Sequence, residues 1–304
     1  GELTLRWRGT GENAEAQLLS TMLWRPSDRG PIGTGPFVLV AQDAGQILLR
    51  RRDPSLLRVG EVQLVSFPTP REAFAAALRG ETNMLLMPDD GQLELLVGVD
   101  KLRLIHGPGV HSVVALFNPA RLAAADRKGL ALAVPIEPVA AAYGPLCQPH
   151  GPNPAGPMPT GRRLDLLVAN SPQGLIRTAL AVRRALGPRG GAVSIVTLEE
   201  ARNRATSGDF DILIATLQTW PEEFSASRWL TGSPRNLTGY SSARVDAALR
   251  AGASSLAQQE LAADPPALVF CRLERTAAVD SLLIDARLGD YDMLDSLETW
   301  QVAR

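Results

Sequence analysis

Lysine is nearly absent from this chain, occurring only at Lys101 and Lys128, so arginine carries almost all of the positive charge. Codon bias in a GC-rich genome accounts for this more simply than arginine-specific recognition does. Excess charge of either sign is also missing. The net charge is −1 and the isoelectric point is near 6.4, which leaves no electrostatic footprint for nucleic acid or an anionic membrane. Cysteine occurs twice, at Cys147 and Cys271, without CxxC spacing. That excludes a disulfide scaffold and a cysteine-rich zinc site, and two isolated buried thiols are preferred over one long-range disulfide. No apolar run approaches the ~20 residues a membrane span requires. The chain opens on Gly-Glu-Leu without an initiator Met or a signal peptide, so it is expected to be a mature or trimmed form.

What is present describes a packed globular protein. The 304 residues are 45% hydrophobic and 21% charged, enough for one large domain or two ordinary ones. The first half reads as strands with tight turns. Glu2–Arg8 alternates as a half-buried strand, and Phe37–Ala41 with Gln46–Arg51 forms a hairpin around Asp43-Ala44-Gly45. Glu61–Phe67 is a further strand. Thr69-Pro70-Arg71-Glu72 then opens a helix as a capping box, which Gly80 closes, and Asn83–Met87 returns as a strand. Residues 144–160 are proline-rich, an extended surface segment or linker. Beyond it, strand Leu164–Ala169, helix Gln173–Leu186 closed by Gly190-Gly191, strand Ala192–Leu198, helix Leu198–Ser207 and strand Asp211–Thr216 alternate as an α/β lobe with parallel strands.

Several segments, in order, resemble the extracytoplasmic solute-binding proteins of ABC importers for peptides and nickel chelates, solute-binding protein family 5. They are Pro31–Phe37 with the hairpin ending Arg51-Arg52-Asp53-Pro54, Gly60–Asn83, Val113–Asn118, Arg127–Val134, Ala155–Pro159, Ser207–Ile212, Asn236–Leu249 and Leu261–Val269. The resemblance implies a bilobed α/β fold of the periplasmic-binding-protein type II class, two lobes with mixed β-sheets flanked by helices and joined by a hinge. Lobe one is expected over 1–116 plus 266–304 and lobe two over 117–265. It further implies a non-enzymatic, periplasmic or otherwise extracytoplasmic protein that holds a small peptide-like solute in an interlobe cleft for an ABC permease. The signal or lipoprotein anchor is not visible. An N-terminal section of the family pattern is lacking, which raises a second reading: a degenerate fold serving a protein partner.

The expected ligand-binding residues are Gln218, Thr219 and Trp220 at the end of a parallel strand, Asn236 and Tyr240 in a loop that the resemblance implies faces the cleft, and Asn118 near the crossing between lobes. For Trp220 and Tyr240, core packing is about as good a reading as ligand contact, and Asn118 fits a backbone-capping role at least as well. Many family members carry an aspartate for the ligand's terminal amine near Leu217–Glu223. Here Thr219 or Trp220 stands in its place, so peptide specificity does not carry over. His106, His111 and His150 lack the spacing and acidic company of a metal site and read as solvated loop residues. No cofactor or metal is expected, and no nucleophile–base motif suggests an enzyme.

Overall fold

A computed structural model of the chain describes residues 24–25, 32–33, 35–53, 58–88, 90–151, 156–219, 227–289, 294 and 296–303. The expected strand Glu2–Arg8 and most of Pro31–Phe37 lie outside these. The chain divides into two compact units at 108/109 and at 273/274.

The chain enters with a two-residue ladder of β1 (Trp24–Arg25) and β2 (Ile32–Gly33). A three-stranded antiparallel meander follows, made of β3 (Phe37–Gln42), β4 (Gln46–Arg51) and β5 (Glu61–Val65). Its first turn is held by the Asp43 carboxylate, which accepts the Gly45 and Gln46 amides at 2.8 Å each. These amide bonds hold the Asp43 carboxyl below the usual carboxylate range. Helix α1 (Pro70–Arg79) starts as its residues dictate: the Thr69 hydroxyl accepts the Glu72 amide at 3.3 Å and donates to the Glu72 carboxylate at 3.0 Å. Gly80 ends the helix at φ 75°, a backbone angle that glycine adopts without strain. Then come β6 (Met84–Leu86), α2 (Asp90–Leu96) and β7 (Leu102–Gly107).

Residues 109–273 form the second unit around a six-stranded mixed sheet. Its elements are β8 (His111–Phe117), α3 (Ala124–Ala133), α4 (Ile136–Tyr143), β9 (Cys147–Pro149), β10 (Leu164–Ala169), α5 (Gln173–Ala185), β11 (Gly190–Val196), α6 (Leu198–Thr206), β12 (Ile212–Gln218), α7 (Ala243–Arg250), α8 (Ser254–Ala263) and β13 (Ala267–Leu273). The strand order is β11-β10-β12-β8-β13-β9. Strand β10 runs parallel to both β11 and β12, as the alternating sequence predicts, while β8 is antiparallel to β12 and β13. Successive side chains of β8 serve opposite faces. Val113, Ala115 and Phe117 pack into one apolar core with Leu175, Ala179 and Val182 of α5, and Val114 and Leu116 pack into another with Val245 of α7. Burial on both faces explains the unbroken apolar run Val113–Phe117.

Two expectations are corrected here, at Gly190-Gly191 and at the cysteines. Gly190-Gly191 does not close α5 but opens β11, and a Cβ on Gly191 would sit 2.7 Å from the Leu164 carbonyl oxygen of the adjoining strand. The helix stops instead at Gly187-Pro188, where Gly187 takes φ 55°. The proline-rich segment contributes an edge strand, β9, paired with β13. Proline is accommodated there because an edge leaves amide positions unpaired. Cys147 and Cys271 are not isolated thiols. They form a disulfide, with a Cα–Cα distance of 5.3 Å, joining β9 to β13 inside the core of one sheet face. Strands β8 and β13 pair with each other within the sheet of residues 109–273.

After β13 the chain returns to the first unit as β14 (Arg275–Asp280), which lies between β6 and β7. Its Ala277 and Val279 pack with Leu288 and Trp300, while Ala278 faces Ala77, Leu85 and Leu96. The ladder of β15 (Leu283–Ile284) and β16 (Gln301–Val302) ends the described chain.

Candidate functional site

The carboxyl end of β12 is where an open α/β sheet presents groups to a ligand. Gln218 closes this strand half-buried, and Thr219 follows it. The Thr219 amide donates to the Val110 carbonyl at 2.8 Å, and its hydroxyl is 2.6 Å from that of Ser112. These bonds hold the strand end against the start of β8. The Gln218 carbonyl accepts a 2.9 Å bond from the Arg228 guanidinium, which reaches back from beyond residues 220–226. Trp220, Glu222 and Glu223 lie outside the described residues.

Asn236 and Tyr240 share a loop, and the loop itself takes up the Asn236 side chain and the Tyr240 backbone. The Asn236 amide donates to the Tyr240 carbonyl at 2.7 Å, and its carbonyl oxygen accepts the Tyr240 amide and the Thr238 hydroxyl, both at 3.2 Å. Gly239 allows the reversal at φ 67°. The start of the loop is tied to α7, since the Asp246 carboxylate accepts the Thr231 amide at 2.9 Å. That bond, from Thr231, holds the Asp246 carboxyl below the usual range.

Tyr240 is 1% exposed and meets Trp229 edge to face, with ring centroids 6.1 Å apart. Among the described residues its buried hydroxyl has no hydrogen-bond partner. Burial, followed by the charge of Asp264, pushes the phenol pKa up. Ser242 lies near enough to offset part of this rise, though not in hydrogen-bonding geometry. Tyr240→Phe is therefore expected to fold normally and to gain about 1 kcal/mol, since it removes a buried, unsatisfied hydroxyl. Urea titration checks this, and a loss of stability would show that the hydroxyl has a partner.

Asn118 lies at the other end of β8, also 1% exposed. Its amide donates to the Gly208 and Phe210 carbonyls at 2.9 and 2.8 Å, and its side-chain oxygen accepts the Ala120 amide at 3.0 Å. All three bonds anchor backbone, the capping role its residue type suggests. Gln218 and Thr219 are thus brought together at one strand end, Asn236 and Tyr240 build the loop packed nearby, and Asn118 stands apart at the opposite end of the strand.

Arg228 escaped the sequence reading. Between Arg204 and Arg235 it is the sole cation in the sequence, a signal too slight to single it out. Among the described residues no group of three or more His, Cys, Asp or Glu side chains could hold a metal, and no helix is long and apolar enough to cross a membrane. His106 lies on the exposed end of β7, with Nδ1 at 3.2 Å from the Thr276 hydroxyl and 3.7 Å from Glu274.

No family model matches the chain. The peptide transport periplasmic protein SapA of Salmonella typhimurium is 36% identical over 116 residues, and the ABC transporter periplasmic-binding protein SapA of Escherichia coli matches to the same extent. The match takes in 35% of this chain and about a fifth (21%) of each relative's length. Among solved structures, the ABC transporter substrate-binding protein CtaP of Listeria monocytogenes superposes with a TM-score of 0.77 at 17% identity, over 90% of this chain and 67% of that one. The oligopeptide-binding protein AppA of Bacillus subtilis, in complex with a nonapeptide, gives a TM-score of 0.60 at 16% identity, over 89% and 67%. The chain has the fold of the bilobed periplasmic peptide-binding proteins, and its resemblance to solute-binding protein family 5 holds in sequence against SapA as it does in backbone against the solved structures.

Proposed function

We propose that this chain is the solute-holding body of an extracytoplasmic receptor, binding a small peptide-like solute without converting it and passing it to an ABC permease. The match to SapA over 116 residues carries the reading, because it joins this sequence to proteins named for peptide transport. The fold supports it, and so does the disulfide. Such bonds persist in oxidising compartments such as the periplasm and are rare in the cytosol. The end of β12, with Gln218 and Thr219, is the part of the sheet from which a ligand would be held; Trp220 follows it in sequence.

A thermal-unfolding screen against di- to pentapeptides tests the proposal. A ligand that binds only the folded chain raises the midpoint as its concentration rises. A saturable rise with at least one peptide, confirmed by calorimetric titration without release of products, is the expected result. Chemical turnover of the bound peptide, or no response to any peptide at millimolar concentration, would sink it.

A further inference from the structure

The two outer strands of the six-stranded sheet end it in different ways. Strand β9 has three residues, closes on Pro149 and is tied to β13 by the disulfide. Brevity and proline are ordinary protections of an open sheet edge. Strand β11 has neither. It runs for seven residues, pairs with β10 alone among the described residues, and from Gly190 to Leu198 the sequence holds no charge and no proline. Its register against β10 is unbroken from Val193 to Val196, and the Asn170 amide donates to the Val196 carbonyl at 2.7 Å. Backbone groups alternate in direction along a strand, so those of Val193 and Ile195 point away from β10, to the open side. Ile195 is 48% exposed and Leu198, just past the strand, 56%. A long, uncharged, apolar edge of this kind is a template for another strand.

The charges beside the edge say which strand. The basic pair Arg183-Arg184, in the last turn of α5, flanks the start of β11, where a Cβ on Gly190 would lie 3.1 Å from the Arg183 Cγ. The acidic pair Glu199-Glu200, in the first turn of α6, flanks its end. All four residues are exposed, and none has an ion-pair partner among the described residues. Turned antiparallel about a two-fold axis, a second copy of β11 brings its acidic end to the basic end of the first, twice over, with the uncharged stretch between. A parallel copy would set like charges on like. We propose that β11 is a self-association edge, by which two copies of this chain join antiparallel into one continuous sheet across a two-fold axis. Strand β10 separates β11 from β12, so this edge is distinct from the strand end assigned to the solute. A seven-residue ladder is a small interface, and the dimer is accordingly a weak one.

Sedimentation equilibrium of the whole chain, from micromolar to millimolar concentration, is the measurement. The wild type is expected to pass reversibly from monomer to dimer. Ile195→Lys sets a like charge on the edge of both copies and is expected to weaken dimerisation about tenfold or more. Reversing the acidic pair (Glu199→Arg with Glu200→Arg) or the basic pair (Arg183→Glu with Arg184→Glu) is expected to weaken it as well, and all four reversals in one chain to restore it. Should Ile195→Lys fail to melt cooperatively, the charge reversals, which lie at exposed positions, decide the question. A wild type that stays monomeric at millimolar concentration, or that assembles past the dimer, overturns the proposal. So does a dimer indifferent to Ile195→Lys and to both reversals, or a fourfold variant that dimerises no better than the twofold ones.

Discussion

Replacing Cys147 and Cys271 together by alanine is expected to lower the unfolding free energy by about 5 kcal/mol, because the bond closes a loop of 124 residues and its removal restores that loop's freedom to the unfolded chain. Both sulfur atoms lie in a core that also contains Phe270, Val113 and Tyr143, so strain and small cavities adjust this figure in either direction. Urea unfolding with the disulfide intact and removed gives the measurement. The slope against urea is also expected to rise, since an uncrosslinked unfolded chain exposes more surface. An unchanged midpoint together with an unchanged slope would show that the cross-link constrains nothing. In the folded state the local consequence falls on β9, which pairs with β13 alone and loses its covalent tie.

The second large effect is expected at Arg162. Asp211 directly precedes β12 with a side chain only 3% exposed, and its two carboxylate oxygens each accept a 2.7 Å bond from the Arg162 guanidinium. The Asp165 amide adds a 3.0 Å bond, and Arg121 stands 3.8 Å away. Burial pushes the Asp211 carboxyl up, but the Arg162 and Asp165 hydrogen bonds, with the charges of Arg162 and Arg121, outweigh it and hold the group below the usual range. Arg162→Ala leaves this carboxylate with its main partner gone, at a cost of about 2 kcal/mol near neutral pH, below the figure for a fully buried pair because the Arg162 side chain is 52% exposed and Arg121 stays close. Adding Asp211→Asn removes the stranded charge, so the double variant is expected to be more stable than Arg162→Ala alone.

The pH dependence separates the two states of the pair. In the wild type the lowered native pKa means that the stabilisation is complete above the ordinary aspartate value of about 4 and is lost as pH falls through the lowered one. In Arg162→Ala burial prevails and the native pKa rises. Its deficit is then largest at neutral pH and shrinks as the medium approaches pH 4. Urea titrations at pH 7 and pH 4.5 measure the difference, and a deficit that does not change with pH would refute the account.

Features governed by near neighbours were legible in the sequence. The hairpin at Asp43-Ala44-Gly45, the cap at Thr69 and the stop at Gly80 each depend on residues within a few positions, and all three are present. The parallel alternation from Leu164 to Gln218 was legible because apolar strands and amphipathic helices differ in period. Glycines were harder. Gly190-Gly191 looks like a helix stop, but Gly191 serves the close approach of β10 and Gly190 that of the Arg183 carbonyl, which only the folded chain reveals. The disulfide was illegible for the same reason, since nothing near Cys147 announces Cys271. The site residues show a further limit. The resemblance singled out Asn236 and Asn118 as ligand-binding candidates; that both donate their side-chain amides to backbone depends on where the chain turns. Arg228 gave no sign because its bond to the Gln218 carbonyl, and the burial of its Nε without an acceptor among the described residues, are properties of the folded surroundings.

The neighbouring positions of β8 and β13 have a practical consequence. Val113 pairs with Cys271, and Arg272 donates to the Gly109 carbonyl, so the two ends of the 109–273 stretch emerge side by side from the same end of two adjacent strands. Among the described residues this unit draws on a single stretch of chain, with its own two-faced core and its own cross-link. Such a piece is a cassette: its two ends meet the requirement for splicing into a host loop, because adjacent antiparallel strands bring termini about 5 Å apart.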